Sequence, residues 1–243
     1  MHPLRTTAQV HKTKITMDSY NQPDHLHDAA SATDAPPINA ARRNCLRTLA
    51  AGSLFAASPT VFGAVAADNA DNGMTAIQAL FTNDSSAKVD GAFAELDRTI
   101  SLYNTHTQEV VVSTFYSKGK YVQDALHKLN LFLRDHRENE AMVMDQKLFT
   151  QMWAINQMLD SENTFEIISG YRTPKTNEYL RSKGSGVARF SYHMVGQAID
   201  LRLRDMPLKA VRDAAKLLNA GGVGYYESSD FVHIDTGEKR QWG

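Results

Sequence analysis

Ser191-Tyr192-His193-Met194-Val195-Gly196-Gln197-Ala198-Ile199-Asp200 joins a histidine to an aspartate across a glycine and runs into an alternating apolar stretch. As a strand, that stretch puts Ile199, Leu201 and Leu203 on one face and Ala198, Asp200 and Arg202 on the other. A counterpart follows in Asp230-Phe231-Val232-His233-Ile234-Asp235-Thr236-Gly237, where Val232 and Ile234 share a core face and His233 and Asp235 the opposite one. If the two strands pair, Asp200 and His233 converge, and His193 arrives through the turn at Gly196. Two imidazoles and one carboxylate suit Zn²⁺ with one position left open, which is the arrangement of a catalytic ion. A single histidine ahead of a strand is an ordinary residue; the set carries the reading.

Working outward, Ser169-Gly170-Tyr171-Arg172-Thr173 precedes the histidine, and Gly221-Gly222-Val223-Gly224-Tyr225-Tyr226 precedes the second strand. With these, the pattern Ser-x-His-x-x-Gly-x-Ala-x-Asp followed by His-x-Asp resembles the M15 metallopeptidases of the hedgehog/D-Ala-D-Ala peptidase fold. Within them it is most similar to the DUF882 group of murein endopeptidase K-like enzymes, over residues 95–243. The resemblance implies one Zn²⁺ per chain on His193, Asp200 and His233. It also implies hydrolysis of peptide cross-links in peptidoglycan, with bonds between two meso-diaminopimelate residues favoured. Two alternatives stay open: a D-Ala-D-Ala carboxypeptidase of the same fold, and a zinc-bearing wall-binding module without activity.

The same resemblance assigns roles. An acidic residue three positions before the last ligand takes the proton of the attacking water, and Asp230 stands there, although an aspartate at that spot equally suits a plain turn. Arg172 would stabilise a carbonyl oxyanion or hold a substrate carboxylate through paired donors, the plainer reading being a salt bridge to Asp235. Asp235 would orient a ligand histidine or Arg172 from behind. Ser191 binds substrate or shapes the turn, and Tyr225 and Tyr226 line the cleft or pack.

Composition limits the rest. The 243 residues could hold one or two domains, and 42% hydrophobic residues suffice for an ordinary core. A formal net charge of −1 gives no footprint for nucleic acid, and no tract is long enough for a stable membrane span. The single cysteine, Cys45, falls in a segment expected to be removed, so neither a disulfide framework nor a thiolate zinc site is expected.

In chain order, residues 1–40 are polar and without period and read as a disordered leader. Arg42-Arg43 ahead of a weakly apolar, alanine-rich run ending Ala64-Val65-Ala66-Ala67 make residues 41–67 a Tat-type signal peptide, which implies the Tat export machinery as a partner and a periplasmic location. Residues 68–94 form a linker with one short helix near 74–81. The domain at 95–243 then opens on a hairpin turning at 105–108. Helical spacing follows at 122–134 and at 145–159 behind an Asp145 cap, then a strand at 165–169 and a helix opened by Thr173-Pro174. A last helix at 207–220 is closed by Gly221-Gly222 before two antiparallel strands. His106, His127 and His136 are expected in solvent, Trp153 in the core. Strands and helices in separate runs argue an α+β domain, an antiparallel sheet with helices on one face.

Overall fold

The computed structural model describes Lys14–Ile15, Ile77, Phe81 and residues 96–184 and 186–243. The stretch read as a Tat-type signal lies outside these, as does the one read as a linker apart from Ile77 and Phe81. Strand β1 (Lys14–Ile15) pairs antiparallel with β5 (Ala141–Met142), inside the stretch read as leader; two residues are too few to leave a period in the sequence.

The remaining eight strands form one sheet in the order β10-β8-β9-β7-β6-β2-β3-β4. They are β2 (Arg98–Asn104), β3 (Val110–Ser117), β4 (Lys120–Tyr121), β6 (Phe165–Ser169), β7 (Ala198–Leu203), β8 (Gly222–Tyr226), β9 (Phe231–Asp235) and β10 (Arg240–Trp242). Within residues 96–243 the α-helices are α1 (Gln123–Phe132), α2 (Gln146–Met158), α3 (Pro174–Ser182) and α4 (Leu208–Leu218).

The expected antiparallel sheet is in fact mixed, because β2 runs parallel to β6 and β8 parallel to β10. Both follow from connectivity. After the β2–β3 hairpin the chain travels through α1 and α2 and enters β6 on the free side of β2, the long crossover that parallel strands require. In the second case β9 is antiparallel to β8, so a strand that reverses β9 and lies on the outer edge of β8 must run with it.

Local signals place the elements. Asn104 closes the hairpin by accepting from the backbone N–H of His106 and Thr107 at 2.9 and 3.0 Å. Asp145 caps α2 by accepting from Lys147 N at 3.0 Å, and Thr173 caps α3 with Pro174 in its first turn. Helix α4 stops earlier than expected, at Asn219 with φ 51°, a conformation asparagine tolerates. The glycines after it serve a different purpose, taken up below.

Ile199, Leu201 and Leu203 of β7, with Val232 and Ile234 of β9, join Leu102, Phe165 and Ile167 beneath Leu126 and Leu129 of α1, Phe149 and Met152 of α2 and Val211 of α4. Trp153 is buried with them. Helix α3 contributes no residue to this core. Each fully buried aliphatic or aromatic side chain stabilises by about 1.5–3 kcal/mol. Slipping β7 or β9 by one residue would expose that whole face, so the register, and with it the opposite face, is firmly set. His106 and His136 are not simply solvated: their rings stack at 4.0 Å, and His106 Nε2 lies 3.0 Å from the carbonyl of Ile168.

Candidate metal centre

On the face opposite the core, Asp200 of β7 stands directly across from His233 of β9. His193 comes from a 3₁₀ turn (Tyr192–Val195) whose first N–H groups are capped by Ser191, the Ser191 Oγ accepting from His193 N at 3.3 Å. Gly196 ends that turn at φ 71°, and a Cβ there would lie 2.5 Å from the carbonyl oxygen of Val143. Only glycine fits, and its own carbonyl accepts from Asp145 N at 2.8 Å, which ties the turn to the start of α2.

Three donor atoms meet. His193 Nε2 lies 3.3 Å from His233 Nδ1 and 3.2 Å from Asp200 Oδ1, and His233 Nδ1 lies 2.7 Å from the same oxygen. All three residues are buried. Tetrahedral zinc with nitrogen and oxygen ligands at 2.0–2.2 Å spaces its donors by about 3.3–3.6 Å. Two separations sit at the edge of that range, and the third needs only a small side-chain opening.

The backs of the three candidate ligands are fixed, as a metal site requires. His193 Nδ1 is 2.7 Å from the carbonyl of Gly170, which can only accept, so this nitrogen carries the hydrogen and Nε2 is left as the donor to a cation. His233 Nε2 is 3.1 Å from Asp235 Oδ2, which turns Nδ1 inward. Asp200 offers Oδ1 to the histidines while Oδ2 accepts from Arg172 Nη2 at 3.1 Å. Nη2 of Arg172 also reaches Ser169 Oγ at 3.1 Å.

The charges agree with the geometry. Burial alone would push the Asp200 carboxyl up, but His193 and His233 outweigh it and hold it well below the ordinary range. Burial disfavours charge on both histidines; it prevails at His193, which is lowered, whereas hydrogen bonds to Asp200 and Asp235 raise His233 to about 9. A carboxylate pair around His233 thus favours positive charge there, and an ion held at this site would take the place of a proton.

The remaining sequence candidates fall as follows. Arg172 pairs with Asp200 and not with Asp235. Asp235, fully buried, pairs with Arg240 and faces His233. Asp230 follows the 3₁₀ turn Glu227–Ser229 at φ 53°, and its Oδ2 accepts from Arg202 Nη1 at 2.6 Å. Arg202 is two residues along β7 from Asp200 and on the same face. Tyr225 packs under Arg212, with the guanidinium 4.7 Å from its ring. Tyr226 stacks on Phe231 at 4.5 Å and accepts from Trp242 Nε1 at 2.9 Å. Sequence reasoning missed the Gly170 carbonyl, Arg240 and Trp242. A backbone carbonyl leaves no sequence signal, and Arg240-x-Trp242 shows only that two residues share one face of a strand.

The family model described as peptidoglycan L,D-endopeptidase MepK, of the M15 peptidases, matches residues 92–242. The chain is 43% identical over 155 residues to peptidoglycan L,D-endopeptidase MepK of Escherichia coli K12, covering 62% of this chain and 85% of the relative. It is 39% identical over 146 residues to a probable peptidoglycan L,D-endopeptidase MepK of Haemophilus influenzae, covering 60% and 78%. No solved structure matches. The chain therefore belongs to the MepK-type M15 family and is a metallopeptidase.

Proposed function

We propose that this metallopeptidase is an exported, zinc-dependent murein endopeptidase with the hedgehog/D-Ala-D-Ala peptidase fold, hydrolysing peptide cross-links of peptidoglycan and favouring those between two meso-diaminopimelate residues. The observation that carries the zinc reading is the meeting of His193 Nε2, His233 Nδ1 and Asp200 Oδ1, each with its other polar atom engaged from behind. The names of the relatives support the substrate class. The paired Arg42-Arg43 supports Tat export to the periplasm, where that substrate lies. Among the described residues no helix is long and apolar enough to cross a membrane.

A zinc ion held by His193, Asp200 and His233 supplies Lewis acidity for peptide hydrolysis. The chain supplies the rest. Arg172, buried against Asp200, keeps Oδ2 of that carboxylate occupied and presents a cation beside the site for a developing oxyanion or a substrate carboxylate. Asp230 accepts the water's proton, and Arg202 holds its side chain on the site face until then. Ser191 orders the turn that delivers His193 and offers its hydroxyl to the peptide backbone. Asp235 keeps His233 in the tautomer that aims Nδ1 inward.

Digesting purified sacculi with the zinc-loaded protein and identifying the products by mass tests this. Conversion of cross-linked dimers to monomers with stem peptides intact is expected. Release of a single terminal D-Ala would assign the carboxypeptidase activity instead, and binding without any product would leave a wall-binding module.

A further inference from the structure

The Gly221-Gly222-Val223-Gly224 run is not used by the chemistry above, yet it sits where two residues of β10 reach the metal centre. Gly224 is the register partner of His233, and a Cβ on it would lie 2.5 Å from the Trp242 indole. A Cβ on Gly222 would lie 2.5 Å from Asp235 Oδ2 and 2.6 Å from Arg240 Nη1. Bare backbone at both positions is what lets β10 carry its side chains in against β9. Trp242 then places its ring 5.3 Å from that of His233 and donates to Tyr226, which fixes its plane.

Arg240 does more. Its Nη2 donates to Asp235 Oδ2 at 2.6 Å and its Nη1 to Oδ1 at 3.2 Å, so both oxygens of a fully buried carboxylate are held by one planar fork. Gly222 N and Gly237 N complete the set on Oδ1 at 3.0 and 2.9 Å. Oδ2 is the atom facing His233 Nε2. The guanidinium itself lies between Tyr192, 4.9 Å away, and Trp242, 5.0 Å away. Tyr192 adjoins His193 in the 3₁₀ turn, so a single side chain bonds the carboxylate behind His233 and packs on the residue before His193.

We infer that β10 is a clamp on the metal centre, in which Arg240 and Trp242 are positioning residues that hold His233 and set how tightly the ion is bound. This rests on His193, Asp200 and His233 being the metal site. The physical reason is orientation. Arg240 is the one group that spans both oxygens of Asp235; without it Oδ1 keeps its two backbone N–H donors, but Oδ2 is left with His233 alone, so the imidazole's partner is held less rigidly. Loss of an outer hydrogen-bond partner of this kind typically weakens metal binding by about 10–100-fold.

The test is zinc affinity of the full chain, measured by competition with a chromogenic chelator, together with the visible spectrum of the Co²⁺-substituted protein. Arg240→Met should bind zinc at least about tenfold more weakly and shift the Co²⁺ bands. Arg240→Lys, which keeps the charge but not the fork, should fall between it and the wild type. Arg212→Met, which removes a guanidinium paired with Asp213 on α4, should change neither readout. Thermal melts of the metal-free proteins establish folding, and if the methionine variant does not fold, the lysine variant decides. Wild-type affinity and an unshifted spectrum in a folded Arg240 variant overturn the inference alone. A wild-type chain that takes up no ion overturns the metal reading, and this inference with it.

Discussion

Replacing Asp230 with asparagine separates chemistry from structure at the proposed base. Asp230 adopts φ 53°, and asparagine accepts that left-handed conformation where alanine would be strained. The structural loss is the ion pair with Arg202, whose Asp230 side chain is 62% exposed. Exposed pairs contribute about 0.2–1 kcal/mol, and Arg202 keeps its 2.6 Å bond to Glu166, so the melting temperature should fall by no more than about 2–4 °C. None of the three proposed metal ligands bonds to Asp230, so zinc content should not change. The expected loss in turnover is far larger: an amide cannot take the water's proton, and general base catalysis is worth about 10²–10⁴-fold, or about 2.7–5.4 kcal/mol. The assay is turnover of purified cross-linked muropeptides by wild type and Asp230→Asn at matched zinc content. A variant within about threefold of the wild-type rate refutes the assignment, because loss of a general base slows turnover by at least about a hundredfold. Asp235 would then be the next acid to test.

His193→Ala and His233→Ala should each leave the purified protein without zinc and without hydrolytic activity; full occupancy by elemental analysis in both would remove the proposed site. Arg42→Lys combined with Arg43→Lys should keep the precursor in the cytoplasm on fractionation, and unchanged export would refute the Tat assignment. Asp135 gives a pH signature: burial pushes its carboxyl up, but bonds from Thr173 N, Thr173 Oγ1 and Arg137 N outweigh this and hold it below its ordinary value. A lowered folded-state value means the stabilisation is complete above the unfolded pKa of about 3.9 and disappears as pH falls through the folded one. The gap in melting temperature between wild type and Asp135→Asn should therefore be steady from neutral pH to about pH 5 and close below about pH 4, and a gap that widens in acid would contradict it.

The sequence by itself determined the features that depend on a few neighbouring residues. Alternation in β7 and β9 separated Ile199, Leu201, Val232 and Ile234 from Asp200 and His233, and the core then left only one register in which to pair them. The Asp145 and Thr173 caps and the turn at Gly196 were legible for the same reason, since a cap or a left-handed residue is a local steric requirement. Tertiary structure alone decided which strands run parallel, because that depends on which free edge a returning chain finds. It also decided the partners of the charges. From sequence, Arg172 had Asp235 as a candidate; in the fold it bonds Asp200, 28 residues away, while Asp235 is taken by Arg240 from the far edge of the sheet. Charged side chains carry no period, and an arginine meets whichever carboxylate the packing brings within about 3 Å. The candidate metal ligands could be named from their types and spacing, but the carbonyl of Gly170 behind His193 became visible only in the fold, and the fork of Arg240 and the indole of Trp242 only once β10 was seated beside β8.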